Sequence, residues 1–106
     1  MSERNLSSER YYGYFVNNAG VVGKAFQDMY ELTVSSSALD RKTHELVYIA
    51  YLAVTKQFSG LELHVKELKN LGATREEVES AILCGMAPVG IGHAQAYQIA
   101  MNAYDS

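Results

Sequence analysis

The chain holds a single proline, Pro88, and its apolar residues recur at spacings of three and four rather than in alternation. That period places them on one face of an α-helix, and before residue 88 no proline ring interrupts a helical ladder from within. No stretch alternates as a half-buried strand would. The sequence therefore predicts an all-α protein, a compact array of about five to six helices joined by short connections.

Within that array, residues 1–19 read as an N-terminal arm or short helix and residues 20–106 as one helical domain, with no linker between them. Tyr11, Tyr12 and Tyr14 in the first segment need a surface to cover, such as a neighbouring subunit. Val22, Ala25, Phe26, Met29 and Leu32 form the apolar stripe of a helix over 20–33, and "VSSSALD" breaks it. A second helix is predicted over 41–57 with Asp40 as N-cap, apolar nearly all round from Leu46 to Val54, as a central core helix would be. Ser59 with Glu62, and Thr74 with Glu77, have capping-box spacing and mark two further starts. Gly72 suits a left-handed helix end, while Pro88, Gly90 and Gly92 interrupt the helix that begins near Arg75. Ala96, Ala100 and Ala103 line one side of a last helix.

Charge and length narrow the partners. A net charge of −3, with nine Lys and Arg scattered along the chain, provides no basic field, so nucleic acid and anionic membrane surfaces are not expected. No apolar run approaches a membrane span and the start "MSERNLSSER" is too polar for a signal peptide, which predicts a cytoplasmic protein. The single cysteine, Cys84, precludes a disulfide within the chain and leaves no multi-cysteine zinc site; the scattered histidines give no metal set either. No cofactor is implied.

The chemistry concentrates in two helices. Leu61, His64, Leu68 and Leu71 share one stripe, so His64 lies among leucines, and Glu45 falls at helical spacing from Tyr48, Ile49 and Leu52. A carboxylate left unpaired in such a setting costs several kcal/mol, so a partner is expected. Glu45 and His64 on adjacent helices would hydrogen-bond and orient the imidazole. The pair is either a mutually satisfied structural contact or a catalytic acid–base couple. His44, turned about 100° from Glu45, is expected at the surface. His93, in line with Tyr97 and Tyr104, is a candidate pocket residue.

"LDRKTHELVYIAYLAV", "LELH" and "HVKELKNLGATREEVESAI" resemble the carboxymuconolactone decarboxylase family, which includes the AhpD (alkylhydroperoxidase D) branch. The resemblance covers roughly residues 20–104 and is sharpest over 39–83. It implies an AhpD-like helical fold, assembly as a homo-oligomer (trimer or hexamer) and a small-molecule substrate. The AhpD branch carries a glutamate, a CxxC and a histidine, which map onto Glu45, positions 57 and 60, and His64. Here the two cysteine positions hold Gln57 and Gly60, and a thiol peroxidase needs a thiolate. Three readings follow. The first is decarboxylase-like proton transfer next to a carbonyl, on a small carboxylated molecule, with His64 and Glu45 catalytic and Tyr48 and His93 binding substrate. The second is AhpD-like peroxidase activity through Cys84, and the third a non-enzymatic binding or assembly module. The turn "MAPVGIGHAQA" resembles the decarboxylase branch, with Gly92 where that branch has proline.

Overall fold

The computed structural model describes residues 7–106. Six helices of nine residues or more run in order: α1 (Ser7–Asn18), α2 (Gly20–Ser35), α3 (Arg41–Val54), α4 (Phe58–Asn70), α5 (Arg75–Leu83) and, after the single turn α6 (Met86–Val89), α7 (Ala94–Asp105). A 3-10 turn, Ile91–His93, leads into α7. Among the described residues there is no strand, and the protein is all-α. Any arm formed by residues 1–6 lies outside the described residues; α1 occupies most of the segment expected to be an arm or short helix.

The core is the contact of four helices. α4 lies between α3 and α7, and α5 packs on the same two helices from the other side. Ile49 and Leu52 of α3, Leu61, Val65 and Leu68 of α4, Val78 and Ile82 of α5, and Met101 of α7 meet there, with Ala96 and Ala100 letting α7 approach closely. Burial of each large aliphatic side chain contributes about 1.5–3 kcal/mol. The end of α7 is fastened as well as packed: the Tyr104 hydroxyl donates to the Ala73 carbonyl at 2.7 Å, and Lys69 Nζ donates to the Tyr104 carbonyl at 2.8 Å.

Two helix starts follow the sequence. Asp40 Oδ1 accepts from the Thr43 amide at 2.7 Å. At α5 the Thr74 hydroxyl accepts from the Glu77 amide at 3.1 Å while the Glu77 carboxylate accepts from the Thr74 amide at 2.9 Å, a complete capping box. Gly72, with φ of 90°, ends α4: the Ala73 amide reaches the Leu68 carbonyl and the Gly72 amide that of Lys69, the Schellman pattern.

Ser59 does not cap α4. The helix begins two residues earlier than that cap would set it, with Gln57 at the cap and no side-chain cap bond. The cause is the reversal before it. α3 stops at Val54 instead of reaching residue 57, Lys56 adopts a left-handed φ of 61°, and the Gln57 amide turns back to the Leu52 carbonyl at 2.9 Å. α5 likewise ends before "CGMA", and Gly90, with φ of 95°, turns the chain after α6.

The apolar stripe of α2 behaves differently from the core stripes. Gly23 is the one buried residue in α2, and Val22 and Leu32 are about 60 % exposed (61% and 62%). α2 pairs chiefly with α1, which itself rests on α4, so the hairpin sits beside the core rather than in it. None of the helices is long and apolar enough to cross a membrane, among the described residues.

Candidate active site

Glu45 and His64 are neighbours across the α3–α4 contact. Glu45 is 1 % exposed, and its Oε1 lies 2.9 Å from Nδ1 of His64, whose side chain is 14 % exposed. The other carboxylate oxygen, Oε2, has no hydrogen-bond partner and lies 3.9 Å from Nε of Arg41, one turn earlier on α3. Fixing Nδ1 on a carboxylate fixes the plane of the ring and leaves Nε2 as the nitrogen for other work.

That work has a place to happen. The His64 ring forms part of the wall of a cavity of about 270 Å3. α3 contributes Tyr48 and Leu52, and the start of α4 contributes Gln57, Gly60 and Leu63. The remaining wall comes from the hairpin: Phe26 and Tyr30 of α2, and Tyr11 and Tyr12 of α1. Tyr48 stands edge-on to His64 with ring centroids 4.4 Å apart, and Tyr30 packs on Tyr48 at 6.0 Å. Burial, then the neighbouring Tyr48 and Glu45, push the Tyr30 phenol up to about 12. Burial and Glu45 raise Tyr48 as well. Both therefore remain neutral O–H donors through the physiological range.

The structure brings together three of the expected residues, Glu45, His64 and Tyr48, and separates the others. His93 is outside the cavity wall: it is buried, with Nε2 donating to the Ile82 carbonyl at 3.0 Å, and joins the end of α5 to the start of α7. Its ring fills the space beside Gly85, where a Cβ would lie 2.5 Å from Nε2. His44 is half-buried rather than at the surface. Its Nδ1 is enclosed without a partner and its ring lies 6.5 Å from Tyr48, because α3 is covered on more than one side.

Cys84 is exposed and faces a different depression. It lines an open apolar groove of about 580 Å3 between α3 and α5, together with Leu46, Val47, Ala50 and Ala81. The groove is the larger of the two, yet it has no histidine and no contact with the Glu45–His64 pair. The smaller cavity has in its wall the imidazole that Glu45 orients, and it is the candidate site.

Gln57 and Gly60 both lie in the His64 cavity wall, so the two positions that map onto the CxxC of the AhpD branch share a cavity with the histidine. At Gly60 a Cβ would meet the Leu52 methyls at 3.5 and 3.6 Å, ordinary contact. The tyrosines of the hairpin are what sequence reading missed. The cluster of Tyr11, Tyr12 and Tyr14 signalled aromatic cover, but whether it served this subunit's cavity depended on where the hairpin folds. Tyr30 is one turn beyond Phe26 on a stripe that looked like core.

An all-helical protein with a carboxylate-oriented imidazole in the wall of a tyrosine-lined cavity is the class these features define. The sequence profile of the carboxymuconolactone decarboxylase family matches residues 21–101, and the chain belongs to that family. No curated protein matches the chain, and neither does a solved structure.

Proposed function

We propose that the protein is a decarboxylase-like acid–base catalyst that moves a proton at a carbon next to a carbonyl in a small carboxylated molecule. The observation that carries this reading is the 2.9 Å contact of Glu45 with His64 Nδ1, behind a ring that lines a cavity. A purely structural pair has no need of a cavity on its far side. In this reading His64 takes or returns the proton through Nε2, Glu45 holds the imidazole in place, and Tyr48 with Tyr30 donates to the oxygen on which charge develops. Loss of CO2 would follow the same path, the enolate it leaves being reprotonated by His64.

Deuterium incorporation tests the proposal without a named substrate. A panel of small keto acids and lactone acids is incubated with the protein in D2O, and exchange next to the carbonyl is read by NMR. Enzyme-dependent exchange that His64→Gln abolishes is the expected result. Exchange that His64→Gln leaves intact, or none across the panel, overturns it. Peroxidase activity through Cys84 receives less support, because the thiol and the Glu45–His64 pair face separate depressions.

We also read the uncovered stripe of α2 as the surface on which copies of the chain assemble into a homo-oligomer, a trimer or hexamer as the family resemblance implies. A monomer mass by light scattering would remove that reading.

A further inference from the structure

We infer that Tyr12 of α1 is a specificity-determining residue of the His64 cavity, selecting small planar ligands whose oxygen atoms accept hydrogen bonds, and that Gly23 of α2 is the positioning residue that seats it. The inference rests on the proposed acid–base reading of the same cavity and adds the shape of what enters.

Three observations support it. First, Tyr12 forms cavity wall although α1 precedes residue 21, where the family match starts. The wall it builds is therefore outside the matched region. Second, the half-buried phenols of this protein divide into two sets. Tyr97 and Tyr104, half-buried elsewhere, spend their hydroxyls on Glu79 at 2.7 Å and on the Ala73 carbonyl at 2.7 Å. Tyr12, Tyr30 and Tyr48 share the cavity, and none of their hydroxyls has a hydrogen-bond partner among the described residues. With the exposed Tyr11 they bring four phenols to the wall of one space of about 270 Å3, a lining that suits a flat molecule with acceptor oxygens, at the small end of ligand sites.

Third, the position of Tyr12 depends on a contact that tolerates no side chain. A Cβ at Gly23 would lie 2.6 Å from the Phe15 carbonyl oxygen and 2.7 Å from that of Val16, both backbone atoms of α1. Only glycine lets α1 descend this far onto α2. At that depth Phe15 and Tyr12 pack edge-on against Phe26, at 5.7 and 6.1 Å. Phe26 is itself cavity wall, so the hairpin and the cavity share one set of ring contacts. Flat rings favour flat partners in stacked or edge-on arrangements, and a non-planar ligand forgoes that contact.

Benzoate and acetate serve as probes, titrated into isotope-labelled protein and followed through the His64 ring signals. Benzoate is expected to bind saturably. Tyr12→Leu, which keeps apolar bulk, should lower the benzoate-to-acetate affinity ratio at least tenfold, and Gly23→Ala should do the same by lifting α1. Tyr12→Phe should retain most of the ratio and weaken both probes alike. An unchanged ratio in Tyr12→Leu, whether both probes keep their affinity or lose it equally in that variant, or no benzoate binding to the unaltered protein overturns the inference. Binding is read without turnover, so a failure of the acid–base proposal would appear separately, in the deuterium experiment.

Discussion

Glu45 Oε1 holds His64 Nδ1 at 2.9 Å across the α3–α4 contact, from a position that is 1 % exposed. Removing the carboxylate leaves an enclosed donor and an empty space. Glu45→Ala should cost about 2–3 kcal/mol, whereas Glu45→Gln, which keeps an acceptor of the same shape, should cost about 1 kcal/mol. Urea unfolding measures both. For any substrate found in the deuterium screen, Glu45→Ala should also lower the exchange rate, and His64→Gln should lower it by roughly 10²–10⁴-fold.

Gly85 and His93 make a separate, structural prediction. A Cβ at position 85 would lie 2.5 Å from His93 Nε2, which is held by the Ile82 carbonyl in a buried site. Gly85→Ala must displace the ring and break that hydrogen bond, at a cost of about 1–3 kcal/mol. The double variant Gly85→Ala with His93→Ala should be less destabilised than the two separate changes added together. Thermal unfolding of the four proteins in the cycle checks it.

Restoring sulfur at the two cavity positions should be tolerated. Gln57 and Gly60 lie three residues apart at the start of α4, and the Cβ contacts at Gly60 are ordinary ones. Gln57→Cys with Gly60→Cys, made alongside Cys84→Ser, should melt within a few degrees of the parent. It should lose two titratable thiols on mild oxidation, the behaviour of a CxxC at a helix start. A melting point that collapses, or thiols that persist under oxidant, would count against the geometry.

Acid should weaken the fold through three surface carboxylates. The Thr43 amide holds Asp40 below its ordinary value, Thr74 and Lys42 do so for Glu77, and Arg75 for Asp105. A carboxyl whose pKa is lower folded than unfolded stabilises above its ordinary value and loses that contribution as pH falls through the folded one. Those ordinary values are 3.8 for Asp and 4.5 for Glu, so the urea midpoint should be level above pH 5 and decline below about pH 4. Asp40→Asn, which still offers a cap acceptor, should show a shallower decline.

Much of the fold was legible because its signals are local. Asp40, the Thr74–Glu77 box and Gly72 each act within one turn of chain, and each does in the structure what its residue type predicts. Ser59 misled because capping-box spacing says nothing about where the preceding helix stops. A tight reversal through Lys56 moved the start of α4 by two residues. Glu45, His64 and Tyr48 were found because polar groups on apolar stripes require partners. Tyr12 and Tyr30 were missed because their role depends on a hairpin docking that only the Gly23 crossing makes visible. His93 and Tyr97 occupy neighbouring positions on one stripe, yet a close approach to Gly85 draws the histidine inward.

The clasp between Tyr104 and the turn at Ala73 bears on the order in which the protein can be made. α4 and α5 present faces that α7 covers, and α7 is synthesised after all the other described helices. A nascent chain that has emerged only as far as α5 therefore displays Leu68, Val78 and Ile82 without their final cover. Folding to the native state must wait for α7 to emerge from the ribosome, and until then those side chains are aliphatic surface open to non-native contacts.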